Sequence, residues 1–260
     1  PYLPADFVKR LEQTMSKSML AQEVYAKILR PVNVVYPSFS RKRHVVPYTY
    51  EQGTPFSIFA DWGYSHPYFC FVAHLESQGD RSRDVIFHEF AKDDFPEQAL
   101  IDRIRDDAAR LCNRDPEYVV GDRAVPRMQS SMLRIFRNSR VKSMKTKDDQ
   151  RIWQSTELIR SRIDPAGENQ SPRLFLAESL LKNGYDRGMV HMFEQLRRKV
   201  IQGEVSDAVN KDNVFDHAHD ALRYGISALY KRSREGLEIN KDEPKGVYAR
   251  RMAAFGRRSI

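Results

Sequence analysis

Three apolar runs follow one another between Phe56 and Ala91: "FSIFA", which stops at Asp61, then "YFCFVAHLE", then "VIFHEFA". The polar turns "GYSHP" and "SQGDRSRD" separate them. Short runs rich in β-branched and aromatic residues, bounded by turn residues, read as strands, and connections this short predict an antiparallel meander of three. Any fold for this chain has to accommodate that meander.

The pattern then changes. "PEQALIDRIRDDAARLC" has Pro96 at a helix start and apolar residues at Leu100, Ile101, Ile104, Ala108 and Leu111, the spacing of one helix face. A short strand, "EYVVGD", ends at Asp122. Beyond it the spacing predicts a helix near "QSSMLRIF", an extended "VKSM", a helix over "DDQRIWQSTELIRSRI", a strand "RLFLA" and a helix over "GMVHMFEQLRRKVI". A last helix runs through "DNVFDHAHDALRYG", where Val214, Phe215, Ala218, Leu222, Ile226 and Leu229 keep a 3.6-residue period. A meander followed by strands that alternate with helices implies an α/β fold, a mixed sheet with helices packed on it.

Upstream, residues 5–29 carry helical spacing, and "VNVVYPSFSRKRHVVPYTYEQGTP" is irregular and aromatic-rich. The expected organisation is an N-terminal helix and linker arm over 1–50, a domain over 51–232, and a basic tail over 233–260.

The 260 residues carry 43 Lys and Arg against 35 Asp and Glu, a formal charge of +8. That balance points to a polyanionic partner such as nucleic acid. The longest apolar runs fall far short of the ~20 residues of a membrane span, and no signal-peptide pattern opens the chain, so a soluble intracellular protein is expected. Cys70 and Cys112 have no paired spacing and read as buried free thiols.

The chemistry lies in the acids. Asp61 and Asp122 each end a strand-like run, and ligands of open α/β sheets collect at the carboxyl ends of strands. Asp216 and Asp220 stand one turn apart on the last helix, near enough to share one cation. Carboxylates that converge cannot all stay ionised without a cation, and hard divalent ions are the natural partners of oxygen ligands.

"FADWGY", "YVVGDRAVP" and "NVFDHAHDALRYG" together resemble the nuclease domain of the large terminase subunit of tailed phages, a member of the ribonuclease H-like, retroviral-integrase superfamily. The D-H-x-x-D-A-L-R-Y form of the third motif is the most specific part, and "VVYPSFSRKRHVV" resembles the segment that leads into that domain. The resemblance covers roughly residues 30–230. It implies a ribonuclease H-like mixed sheet of a three-stranded antiparallel meander followed by parallel strands, flanked by helices. It also implies a metal-dependent endonuclease that cuts double-stranded DNA during genome packaging by two-metal phosphodiester hydrolysis.

Carried over residue by residue, Asp61, Asp122 and Asp220 are the expected catalytic metal ligands for two Mg2+ or Mn2+ ions. Asp220 is preferred to Asp216 because it stands three after His217, and Asp216 and His217 are further candidate ligands. Arg41, Lys42 and Arg43 in "SRKRH", and Lys142, Lys145 and Lys147 in "VKSMKTK", are candidates for DNA phosphates, as is "RRK" at 197–199. Trp62 and Tyr64, beside the first acid, are candidates to border the DNA groove.

No G-x-x-x-x-G-K-[ST] phosphate loop occurs. The chain is therefore expected to be the nuclease part of a polypeptide whose ATPase domain lies upstream. It would work with a portal protein and a small terminase subunit in the host cytoplasm. Two other readings are a junction resolvase or transposase-like nuclease of the same fold, and a non-catalytic DNA-binding or portal-docking module.

Overall fold

The computed structural model describes residues 33–63, 65–75, 83–144, 149–165, 171–211 and 214–230. The expected helix over 5–29, the basic tail, Tyr64, Lys145 and Lys147 lie outside them. The described residues up to Leu229 belong to one compact unit.

The chain enters through helix α1 (Arg41–His44) and strand β1 (Val45–Val46), then the meander of β2 (Phe56–Asp61), β3 (Tyr68–Leu75) and β4 (Arg83–Ala91). Helix α2 (Glu97–Cys112), β5 (Tyr118–Asp122), α3 (Pro126–Ile135), β6 (Arg140–Met144), α4 (Asp149–Ile163) and β7 (Leu174–Ala177) alternate after it. Helix α5 (Met189–Gln195), a hairpin of β8 (Arg198–Ile201) and β9 (Glu204–Val209), and α6 (Asp216–Tyr230) complete the unit.

The main sheet has the order β1-β7-β4-β3-β2-β5-β6. Strand β3 is antiparallel to both its neighbours, while the β2–β5, β5–β6, β4–β7 and β1–β7 pairs are parallel. Six of its strands therefore point one way, and only β3 runs counter. The expected meander and the mixed, helix-flanked α/β sheet are both present.

Both faces of the sheet are covered, which is why its strands read as nearly unbroken apolar runs. Phe56, Ile58 and Ala60 point to one face, where they share a core with Phe69 and Phe71, Leu100, Ile101 and Ile104 of α2, and Met128 and Met132 of α3. Alternate residues Ser57, Phe59 and Asp61 point to the other face, where α6 lies. Cys70 and Cys112 are buried free thiols, as expected.

Three departures from the sequence reading have clear physical causes. The helix expected over 188–201 ends at Gln195, and Arg198–Ile201 is a strand. Gln202 and Gly203 adopt φ of 51° and 87°, the left-handed pair of a tight hairpin turn that folds this segment back onto Glu204–Val209. The last helix begins at Asp216, leaving Val214 and Phe215 outside it. The entry segment is integrated into the fold: Val34, Val35, Tyr36 and Phe39 are buried, and Val45–Val46 adds an edge strand to β7.

Buried polar chains lock the layers together. Asp84 on β4 receives Arg162 of α4 (2.7 Å) and His74 (2.9 Å), and His74 meets Ser57 Oγ at 2.7 Å. Glu89, further along β4, accepts hydrogen bonds from Tyr68 Oη (2.6 Å), Asn183 (2.6 Å) and the Met189 amide (2.7 Å), which anchors the start of α5.

On the opposite face Asp107 of α2 takes His88, Arg103 and Arg110 at 2.6–2.8 Å. Burial alone would raise its carboxyl, but these three donors outweigh burial and hold it well below the usual carboxylate range. A carboxyl depressed in the folded state adds stability above its unfolded pKa of 3.8 and loses it as pH falls further. Asp107→Asn is expected to cost about 1–3 kcal/mol at neutral pH. In thermal melts across pH, the gap to the parent should close below pH 3.8.

Candidate active site

Strands β2 and β5 pair in parallel with Phe59 opposite Val120. Two residues further along each strand, Asp61 stands opposite Asp122, and the period of two sends both carboxylates to the same face. Neighbouring strands lie about 4.8 Å apart. The two acids are therefore adjacent at the carboxyl ends of adjoining parallel strands, where this class of sheet collects ligands.

Helix α6 crosses that face. Gly225 makes this possible: a Cβ there would stand 2.1 Å from the Phe59 ring. Trp62 does not border a groove. It is 5% exposed, and its indole lies against Gly121, where a Cβ would stand 2.0 Å away. The ring is thus core packing that wedges the ends of β2 and β5 together.

The start of α6 brings the other candidates in. His217 Nδ1 meets Asp61 Oδ2 at 2.8 Å. Burial works against charging the His217 ring, but the bond to Asp61 and the fields of Asp61, Asp216 and Asp220 win and raise its pKa. Among the described residues its buried Nε2 has no hydrogen-bond partner, and neither has Asp216 Oδ1. Burial raises the Asp216 carboxyl, with Asp220 adding to the rise.

Asp220 is held differently. Arg223 donates to its Oδ1 through Nη2 (2.9 Å) and Nε (3.2 Å), and Lys211 Nζ reaches its Oδ2 at 3.0 Å. Burial alone would raise this carboxyl, yet His219, Arg223 and Lys211 hold it far below the usual carboxylate range. Asp220 is thus paired with cations of the chain itself, whereas Asp216 Oδ1 has no hydrogen-bond partner among the described residues. Tyr224 is a common neighbour: burial drives its phenol pKa up, and the charges of Asp220, Asp61 and Asp122 push it further. All three expected catalytic acids lie within electrostatic reach of that one ring.

The donors are carboxylate oxygens with one imidazole, the chemical type that hard divalent ions take. Asp216 Oδ1 and His217 Nε2, on neighbouring residues at the start of α6, are buried without a hydrogen-bond partner among the described residues and are available as donors to a cation. The side chains as they stand engage one another: among the described residues no three His, Cys, Asp or Glu side chains close around a single point. The donor set fits a cation in kind, and binding one through Asp220 Oδ2 requires that oxygen to exchange Lys211 for it.

The expected DNA contacts separate by position. Arg41–His44 precedes β1 at the amino ends of the parallel strands, the end of the sheet opposite Asp61 and Asp122. There Arg41 is bidentate to Glu194 (2.7 and 2.8 Å) and Arg43 pairs with Asp164 (2.9 Å), while Lys42 is exposed. Lys142 lies inside β6, its ammonium on the Ala228 carbonyl at 3.2 Å and 4.6 Å from the Tyr118 ring centroid, so it ties down the end of α6. Strand β6 ends with Met144 opposite Asp122, and the segment bearing Lys145 and Lys147 starts at that point. Of "RRK", Arg197 donates to Asn33 at 3.1 Å.

Sequence reasoning passed over His66, Lys92, Arg187, Lys211 and Arg223. Arg223 was accessible from its i, i+3 spacing to Asp220. His66 and Lys92 each follow a strand that ends at the same rim as Asp61, a signal that needs the strand directions.

The sequence matches no protein-family model and no curated protein. Solved structures do match. A large terminase from the thermophilic bacteriophage D6E is 13% identical, with a TM-score of 0.56 over 87% of this chain and 53% of that one. The chain thus spans about half the length of that terminase. The yeast mitochondrial Holliday junction resolvase Ydc2 (13% identity, TM-score 0.37) is matched over 85% of this chain and 92% of its own. Thermus thermophilus RuvC (14%, TM-score 0.34) is matched over 66% and 95%. The fold is the ribonuclease H-like one, in the arrangement the terminase shares.

Gly225→Ala tests how α6 is seated. In an open helix the change gains about 1 kcal/mol. Against the Phe59 ring it should instead cost about 1–3 kcal/mol by overpacking, read from denaturant unfolding.

Proposed function

We propose that the chain is a metal-dependent DNA endonuclease that hydrolyses phosphodiester bonds of double-stranded DNA, as the nuclease part of a phage large terminase. The observation that carries this reading is the juxtaposition of Asp61 and Asp122 at the ends of two parallel strands, with the acidic start of α6 over them. The excess of Lys and Arg supports a polyanionic substrate.

Asp61 and Asp122 are the core of the cation site, and Asp220 completes it. Arg223, 4% exposed, fixes Asp220 Oδ1, whereas Lys211 on Oδ2 is 54% exposed and can swing away when a cation takes its place. Asp216 and His217 supply further donors. His217 also orients Asp61 through Nδ1, as a hydrogen-bonding partner orients a ligand elsewhere. Mg2+ or Mn2+, as a pair, would supply the Lewis acidity that phosphodiester hydrolysis needs. Lys145 and Lys147, which follow β6 in the sequence, are proposed phosphate contacts.

In the whole enzyme this domain would follow an ATPase domain of the same polypeptide and act with a portal protein and a small terminase subunit in the host cytoplasm. Among the described residues no helix is long and apolar enough to cross a membrane.

The test is plasmid cleavage in Mg2+ or Mn2+. Asp61→Asn and Asp122→Asn should fall to background, and His217→Ala should lose about 10- to 100-fold, the usual cost of an outer-shell partner. An Asp122→Asn protein that cuts as fast as the parent would refute the assignment.

A further inference from the structure

A second polar cluster lies at the same rim of the sheet, one ring away from Asp61, and nothing in the cation site uses it. His66, in the turn after β2, meets Asp93 Oδ1 through Nδ1 at 2.7 Å. Arg187, just before α5, donates Nη1 to the same oxygen at 2.7 Å and lies 3.2 Å from His66 Nδ1. The His66 ring is 5.2 Å from the His217 ring, centroid to centroid, and His217 holds Asp61. A cleft lined by His66, Lys92, Asp93, Arg187 and His217 runs along this row.

The balance of charge and donors suits an anion. Arg187 and Lys92 carry two positive charges against the single carboxylate of Asp93, so the cluster stays cationic without any contribution from histidine. Arg187 is 38% exposed, and its Nε and Nη2 make no hydrogen bond among the described residues. A guanidinium anchored through one nitrogen, with two donors of its planar fork open, is the arrangement that takes a phosphate oxygen pair. Asp93 serves as the anchor that aims the fork. Its Oδ1 is shared between Arg187 and His66.

We propose that Arg187, with Lys92 and His66, is a seat for a backbone phosphate of the nucleic-acid strand, next to the phosphate that meets the carboxylates. Arg187 makes the direct contact and Asp93 positions it. This inference rests on the nucleic-acid substrate of the proposed function, but not on cleavage.

The experiment is fluorescence anisotropy with a short labelled DNA duplex in Ca2+ and in EDTA, across a salt series. Arg187→Ala should raise Kd about tenfold and lower the slope of log K against log salt by about one phosphate contact. Asp93→Asn should bind as tightly as the parent or tighter, because the amide oxygen can still accept from Arg187 Nη1 and aim the fork while a competing charge is removed. Inorganic phosphate should compete only weakly if the seat reads a strand, and as strongly as DNA if it holds free phosphate.

Unchanged Kd and salt slope in Arg187→Ala would overturn the seat. So would equal weakening in Asp93→Asn and Arg187→Ala, the mark of a purely structural ion pair. Plasmid cleavage by the parent separates the two readings. A parent that cuts DNA while Arg187→Ala binds normally removes the seat alone. One that binds with the expected Arg187 dependence but cuts nothing removes the nuclease alone.

Discussion

The parallel pairing of β2 with β5 is the constraint on which the rest depends. Its register, with Phe59 opposite Val120, brings Asp61 beside Asp122 although 60 residues of chain separate them. A shift of one residue would turn one carboxylate to the opposite face and bury it among Ile58, Ala60 and Val119. The register is therefore defended on both sides: by the apolar core beneath α2 and α3, and by the Phe59–Gly225 contact beneath α6.

Placing acids this close has an electrostatic cost, and the surrounding residues show how the fold meets it. Asp220 has Arg223 and Lys211, and Asp61 has His217. Asp216 is left with a buried oxygen that has no hydrogen-bond partner among the described residues. Elsewhere in the protein buried carboxylates are fully bonded: Asp84, Glu89 and Asp107 each take two or three donors. Asp216 Oδ1 and His217 Nε2 are therefore the unmet polar atoms of the proposed cation site among the described residues, as expected where stability yields to function.

Much of this was legible in the sequence. The meander, helices α2 and α4, and the strand-end positions of Asp61 and Asp122 follow from apolar runs and the residues that stop them. The β8–β9 hairpin was not, because "LRRKVI" keeps an apolar spacing that fits a helix and the turn depends on left-handed Gln202 and Gly203. The basic residues of the Asp61 rim escaped the sequence reading for a different reason. Clusters such as "SRKRH" are conspicuous in one dimension but fall at the far end of the sheet. His66, Lys92 and Arg187 are single residues, up to 121 positions apart, that meet only because their strands and loops end at one rim. Trp62 next to Asp61 was open to two readings, groove or core, and is core packing, since Gly121 leaves room for its ring.

Direct measurement of cation binding is the sharpest test of the idea that this rim is a metal site. Mn2+ titration followed by electron paramagnetic resonance, with circular dichroism to verify folding, reads binding without requiring turnover. The account predicts saturable Mn2+ binding by the parent and its loss in folded Asp122→Asn. A parent that binds no Mn2+, or an Asp122→Asn protein that binds it equally well, would contradict it.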